Sequence, residues 1–438
     1  MKKKIYFIVF LAFFVILLNY TKVSATDIPK VYFQGDISNM TTKKVERNIK
    51  LKFVSEELNF ERYTKIKVQG SSSLAYEKKN YTINFFEDET FEKKSKIDMQ
   101  KGWGSQSKYN LKANWIDKTN ARNIVSARIA GKIQRKYGVL NDLPNNGSID
   151  GFPVEIYINN EFLGLYTWNI PKDEWLWNMD EGNLNHIVLG GGWYTEYVNF
   201  KTQLDGFDGT GWEIEVGKPN KETVSNFNRL VRFINDSSDE EFVRDFEQYL
   251  SKDACLNYLV MVYLIEGIDN TGKNMMLASY DNGKIWYPCL YDLDSTWGTW
   301  TDGSLNESYK ILPEDEIADH STNNLILRMI KCMPNEISDR WFELRKDIFS
   351  KENILNEFNT FFESIPDESI KKENEKWTNR PGYNIEQIRE FLDIRIPYID
   401  NIMNDRYNKT SFFDAVCKAF SLICIIILGR IFLKFRPF

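Results

Sequence analysis

Histidine is nearly absent from this chain of 438 residues: His186 and His320 stand far apart and in no ligand-like spacing. Histidine-rich metal centres and Ser-His-Asp hydrolysis are disfavoured from the outset. Cysteine is scarce as well. No two of Cys255, Cys289, Cys332, Cys417 and Cys424 make a CxxC pair, so the usual zinc spacings are missing. The three in the body are too widely spaced for a disulfide framework and read as small buried hydrophobes. Positive charge is not in excess, the net charge being −6. No basic stripe runs through the sequence, and nucleic acid is excluded as an expected partner. Internal repeats and low-complexity linkers are absent too. What remains, 42% hydrophobic and 27% charged, is a folded body long enough to bury a sizeable core.

The two ends are apolar. Lys2, Lys3 and Lys4 precede an unbroken run from Ile5 to Leu18, and Val23-Ser24-Ala25 offers small residues for cleavage, so residues 1–25 read as an export signal. A second stretch, 412–433, is interrupted by Lys418 and Arg430 and followed by Lys434 and Arg436. It reads as a single transmembrane anchor with a basic inner flank. The expectation is an exported body held at the cell membrane by its C-terminal end.

Between these ends the pattern changes once. Ile66–Gly70, Tyr81–Phe85 and Tyr109–Trp115 alternate as strands, and Val154–Ile158 with Phe162–Trp168 flank an Asn159-Asn160 turn. A helix is expected from Asp117 to about Tyr137. Beyond Lys221 helical periodicity dominates, at 222–235, 238–249, the very apolar 252–266, 321–350, 352–364 and 384–407. The reading is α+β: a β-rich N-terminal lobe with its connecting segment over 27–218, then a mostly helical C-terminal lobe over 219–407.

One constellation carries chemistry. The apolar helix 252–266 leads to Asp269 and Asn274, spaced D-x-x-x-x-N. A hairpin with an Asn282-Gly283 turn follows and ends at Asp292-Leu293-Asp294. This is the order of parts in a protein-kinase centre. One carboxylate, Asp269, orients or deprotonates an attacking hydroxyl. Asn274 and Asp292 would supply hard oxygen ligands to Mg²⁺, or Mn²⁺, with Asp294 two residues further on. The bland reading of the same residues is helix capping and an Asx turn. Lys112, a strand lysine ahead of a helix, suits the phosphates of ATP. Lys79 is its rival, and Arg122 is a third basic candidate. Residues 118–137 hold no Asp or Glu, so the usual Lys–Glu pair needs a partner from elsewhere, Glu155 being one.

These segments resemble the CotH kinase family, the spore-coat-protein-H-like atypical kinases. The matching blocks are Val68-Gln69-Gly70-Ser71-Ser72-Ser73 with Lys78-Lys79-x-Tyr81, and Leu111-Lys112-Ala113-Asn114-Trp115-x-Asp117 with Arg122-Asn123. They continue with Val154–Asn159 through Gly164-Leu165-Tyr166, then Asp269-Asn270 with Lys273-Asn274, and Tyr291–Gly298. The resemblance implies a protein-kinase-like two-lobed fold and Mg²⁺-dependent transfer from ATP to Ser/Thr of surface or spore-coat proteins. Two other readings compete. One is a non-catalytic or nucleotide-transferring surface protein that binds protein or glycan through segments such as Gly190–Tyr194. The other is a glycosidase built on Asp292 and Asp294.

Overall fold

The computed structural model describes residues 27–317, 322–380 and 384–406. They divide into two compact units. The first comprises the chain up to Trp115, Gly151–Asn169 and Asn359–Arg380; the second holds 116–150, 170–358 and the remainder.

Seven strands of the first unit close on themselves. These are β1 (Lys30–Gln34), β2 (Glu46–Val54), β3 (Asn59–Gln69), β4 (Asn80–Phe86), β7 (Lys108–Lys112), β8 (Gly151–Ile158) and β9 (Glu161–Asn169), in the order β1-β2-β3-β4-β7-β9-β8. A two-stranded ladder, β5 (Ile97–Asp98) with β6 (Ser105–Gln106), lies outside the barrel sheet. Alternation sets the faces: in β2, Ile49, Leu51 and Phe53 are buried while Lys50 and Lys52 are exposed. Inside, Trp168 packs its ring against Phe53, Phe85 and Tyr109, with centroids 5.2–6.0 Å apart. Neighbours in the barrel are antiparallel except β1 and β8, which pair in parallel with Lys30 opposite Glu155. That pair leaves no open sheet edge.

The second unit mixes helices with a four-stranded antiparallel sheet of β10 (Ile187–Gly191), β11 (Trp212–Val216), β12 (Met275–Ser279) and β13 (Tyr287–Leu290), ordered β11-β10-β12-β13. Its helices are α1 (Arg122–Lys136), α2 (Lys221–Asp236), α3 (Asp239–Asp245), α4 (Lys252–Ile265), α5 (Asn324–Cys332), α6 (Pro334–Arg345) and most of α7 (Lys351–Glu363), followed by helical turns over 385–406. The helix α8 (Asp367–Lys376) belongs to the first unit and packs on β9.

The expected two-lobed kinase fold is therefore corrected. The protein is mixed α/β: its leading strands form a closed barrel, a second sheet accompanies the helices, and the two units interleave along the chain. The alternation marks strands but carries no signal for the β1–β8 pairing across more than 120 residues. No helix of the described residues is long and apolar enough to cross a membrane. The segments 1–25 and 412–433, read as signal and anchor, fall outside the described residues. Two of the body cysteines, Cys255 and Cys289, are buried and free, as expected of small hydrophobes; Cys332 is half-buried.

Candidate functional site

Helix α4 is buried on all sides from Ala254 to Ile265, so packing fixes where it ends. The Ser251 hydroxyl accepts the Ala254 N–H at its N-terminus. At the other end Glu266 turns the chain in the left-handed region, φ 54° and ψ 46°, a costly conformation for a residue with a β-carbon. A buried ion pair with Arg395 and a hydrogen bond from the Ile311 N–H at 2.9 Å hold it there. Burial pushes the Glu266 carboxyl above its ordinary range while Arg395 pulls it back.

Beyond this turn a short 3₁₀ helix, Asp269–Thr271, leads through Gly272 and Lys273 to Asn274 and into β12. The loop and the far end of the hairpin are tied together. Asn270 Nδ2 donates to the Tyr291 carbonyl at 2.9 Å, and the Tyr258 hydroxyl donates to the Asn270 carbonyl at 2.5 Å. Asn274 and Asp292 both have left-handed backbones, with φ of 64° and 53°, a region that Asn and Asp tolerate better than most residues. Asn274 Nδ2 approaches the Asp292 carbonyl at 3.5 Å. Helix α1 supports the same segment, Asn123 Oδ1 accepting the Leu293 N–H at 3.0 Å and Ser126 Oγ accepting the Trp297 indole N–H at 2.7 Å.

The hairpin loop is longer than the two-residue turn expected. Asn282 and Gly283 do have positive φ, but the strands stop pairing at Ala278 and Tyr287. The Asp281 carboxylate instead collects the N–H groups of Lys284 and Ile285.

Around Asp269 the partners are specific. The Tyr194 hydroxyl donates to Oδ1 at 2.8 Å, and Lys273 Nζ donates to Oδ2 at 2.9 Å. The Lys273 ammonium lies 5.8 Å from the ring centroid of Trp193, an exposed indole at 61%. Burial and the neighbouring Asp269 carboxylate push the Tyr194 phenol far above its ordinary value, which keeps it a proton donor.

The Gly190–Tyr194 segment, read from sequence as a stacking surface, lies against this loop. The Gly191 carbonyl accepts the Asn274 N–H at 2.8 Å, and a β-carbon on Gly191 would sit 2.3 Å from the Gly272 carbonyl oxygen. Gly191→Ala must displace the Asp269 loop, with an expected loss of about 1–3 kcal/mol in urea unfolding. A variant as stable as the parent would mean that the loop yields without cost.

The basic candidates are placed as follows. Arg122 is fully buried in an ion pair with Asp117 and donates to Gln387 Oε1 at 2.6 Å. With Thr119 and the Arg122 N–H also on the Asp117 carboxylate, this knot starts α1 five residues later than expected. Lys79 donates to the carbonyls of Leu74, at 2.7 Å, and Tyr76, fastening the 3₁₀ turn Ser72–Ala75. Lys112 ends β7 opposite Thr167 and is buried. Lys79 and Lys112 belong to the first unit; Arg122, Asp269, Asn274, Asp292 and Asp294 belong to the second. Glu155 is taken by the Ser369 hydroxyl at 2.8 Å and the Tyr157 hydroxyl at 2.6 Å.

Sequence reasoning missed two features. Tyr194 was visible only as an aromatic beside three glycines. Lys78, next to Lys79, proves to be the buried lysine of the pair, donating to Glu373 at 2.7 Å and to the Ala113 and Leu165 carbonyls at 2.9 and 2.5 Å.

No three Asp, Glu, His or Cys side chains converge as a metal group among the described residues. An all-protein cage is thus unsupported. Asn274 and Asp292 offer one amide oxygen and one carboxylate, a donor set that suits Mg²⁺, which keeps several waters and completes its octahedron with substrate phosphates.

A buried helix, an Asp-bearing loop and a hairpin that returns an Asp beside the loop's Asn follow one another in the order of parts of a protein-kinase centre. The CotH kinase protein family model matches residues 66–399. The chain belongs to this family, as an atypical kinase-like protein. Comparison with curated proteins gives no match.

Proposed function

We propose that the protein is a Mg²⁺-dependent kinase that transfers the γ-phosphate of ATP to Ser/Thr of a protein acceptor. The observation that supports this reading most is the tie between Asp269's loop and the Tyr291-Asp292 segment through Asn270 at 2.9 Å, with Asn274 beside Asp292. In this reading Asp269 orients the acceptor hydroxyl. Asn274 and Asp292 hold the metal, Asp294 assists, and Mn²⁺ substitutes. The metal neutralises charge on the transferring phosphates. Lys112, the strand lysine of the matching block, belongs to the other unit and has no assigned nucleotide contact in this reading. Lys79 and Arg122, whose charges are held by Leu74, Tyr76 and Asp117, act as structural residues.

The test is thermal melting of the protein with ATP and Mg²⁺ or Mn²⁺, alongside Asp292→Asn. Nucleotide at 100 times its dissociation constant stabilises a native state by about 2.7 kcal/mol. The shift should need the metal and should vanish in the variant. A well-folded wild type with no metal-dependent shift would sink the proposal.

A further inference from the structure

The carboxylate of Asp269 is not symmetric. Its side chain is 7% exposed, and its two oxygens meet different partners. Oδ1 faces the half-buried Tyr194 phenol, whose hydroxyl stands 2.8 Å away and also lies 3.3 Å from the Ile268 carbonyl. A phenol has one proton to donate, and the shorter, charge-assisted contact is the one to the carboxylate. Oδ2 faces Lys273, whose side chain is 24% exposed and reaches toward the exposed Trp193 ring. The two oxygens thus differ in their partner: a phenol in contact with the loop on Oδ1, and the end of a long, partly exposed side chain on Oδ2. Tyr194 itself stands one residue past the glycines Gly190, Gly191 and Gly192, with Trp193 between. Its ring carbons lie within 3.2–3.6 Å of where a β-carbon on Gly272 would stand. The ring is thus wedged against the loop that carries Asp269, and its hydroxyl has little freedom to leave.

We propose that Tyr194 is the positioning residue of this centre: it anchors Oδ1 of Asp269 so that Oδ2, on the Lys273 and Trp193 side, is the oxygen presented to the acceptor hydroxyl. The inference rests on the kinase reading above. In the transfer step the hydroxyl oxygen forms a bond to the γ-phosphorus while the bond to the bridging oxygen breaks. ADP leaves with that electron pair, and the hydroxyl proton passes to Oδ2. Lys273 gives way on Oδ2 as the acceptor arrives, while Tyr194 stays. A carboxylate held at one oxygen keeps its second lone-pair direction aimed, and misaiming by an ångström or so is enough to cost about 10²-fold in rate.

The experiment measures steady-state transfer from radiolabelled ATP to dephosphorylated casein, with Mg²⁺ or Mn²⁺, for wild type, Tyr194→Phe, Asp269→Asn and the double variant. Phenylalanine fills the same space, and melting curves with and without ATP and metal report whether the fold and nucleotide site survive. The expected result is a fall of about 10–100-fold in kcat for Tyr194→Phe, with the KM for ATP and the nucleotide-induced melting shift unchanged. In the Asp269→Asn background the same substitution should change nothing further, because a residue acting through Asp269 has nothing left to act on. A purely structural tyrosine would lower activity in both backgrounds. Full activity in Tyr194→Phe, or additive losses in the double variant, overturns the assignment while leaving the kinase reading standing. A wild type that neither binds ATP with metal nor transfers phosphate overturns both.

Discussion

Glu373→Ala should destabilise the protein by about 3–5 kcal/mol or more, the largest stability effect expected of any single substitution here. Glu373 Oε1 accepts from Lys78 at 2.7 Å and from Arg380 at 2.9 Å, and Oε2 accepts the Leu165 N–H at 2.7 Å. All three charged side chains are essentially sealed from water. Removing the carboxylate leaves two buried cations with only carbonyl acceptors and no counter-charge, and takes from the Leu165 N–H its acceptor. Burial already pulls the Lys78 ammonium down to about 8, with Glu373 resisting. Without Glu373 the lysine can shed its proton, whereas an arginine cannot, so the uncompensated charge stays on Arg380. Glu373→Gln keeps the volume and one acceptor and should fall between. Equilibrium urea unfolding reads both variants. An alanine variant within 1 kcal/mol of the parent would show that the α8 pair is not made in solution.

Asp269→Asn should lower phosphoryl transfer by about 10²–10⁴-fold, the range for loss of a positioned acid–base group. The metal-dependent melting shift with ATP should persist, in contrast to Asp292→Asn. Asparagine keeps an oxygen for Tyr194 and gives up only the charge that faces Lys273 and the acceptor. A loss smaller than about tenfold would take the acceptor-orienting role away from Asp269. Loss of nucleotide binding in the same variant would move Asp269 into the metal's ligand set.

The parts of this arrangement that were legible in the sequence are the local ones. The strands around Ile66, Ile83 and Val154, the Asn159-Asn160 turn, and helix 252–266 with the loop and two strands after it all follow from short-range periodicity and turn chemistry, and the structure has them, although the hairpin loop is longer than its Asn282-Gly283 pair implies. The four residues Asp269, Asn274, Asp292 and Asp294 lie on that contiguous stretch, which is why their neighbourhood could be read at all. What depends on distant pairing could not. The parallel seam of β1 and β8, the α8 helix with Glu373, and the burial of Lys78 rather than Lys79 are decided by tertiary contacts that no local pattern encodes. Arg122 is one of three basic candidates for phosphate in the sequence, beside Lys112 and Lys79. Its partner Asp117 lies only five residues away, so that knot was within reach of a closer look at the Asp-x-Thr turn.

The Lys78–Glu373 contact spans 295 residues of chain. A ribosome adds roughly 5–20 residues per second, so Lys78 is made roughly 15–60 s before the carboxylate that neutralises it. All seven strands of the barrel are in place by Asn169, yet until α8 emerges the Lys78 amine has no carboxylate beside it. The first unit therefore cannot reach its final state vectorially: its sheet forms early and waits, and any nascent chain that stops before residue 373 is left with a barrel that is closed but not sealed.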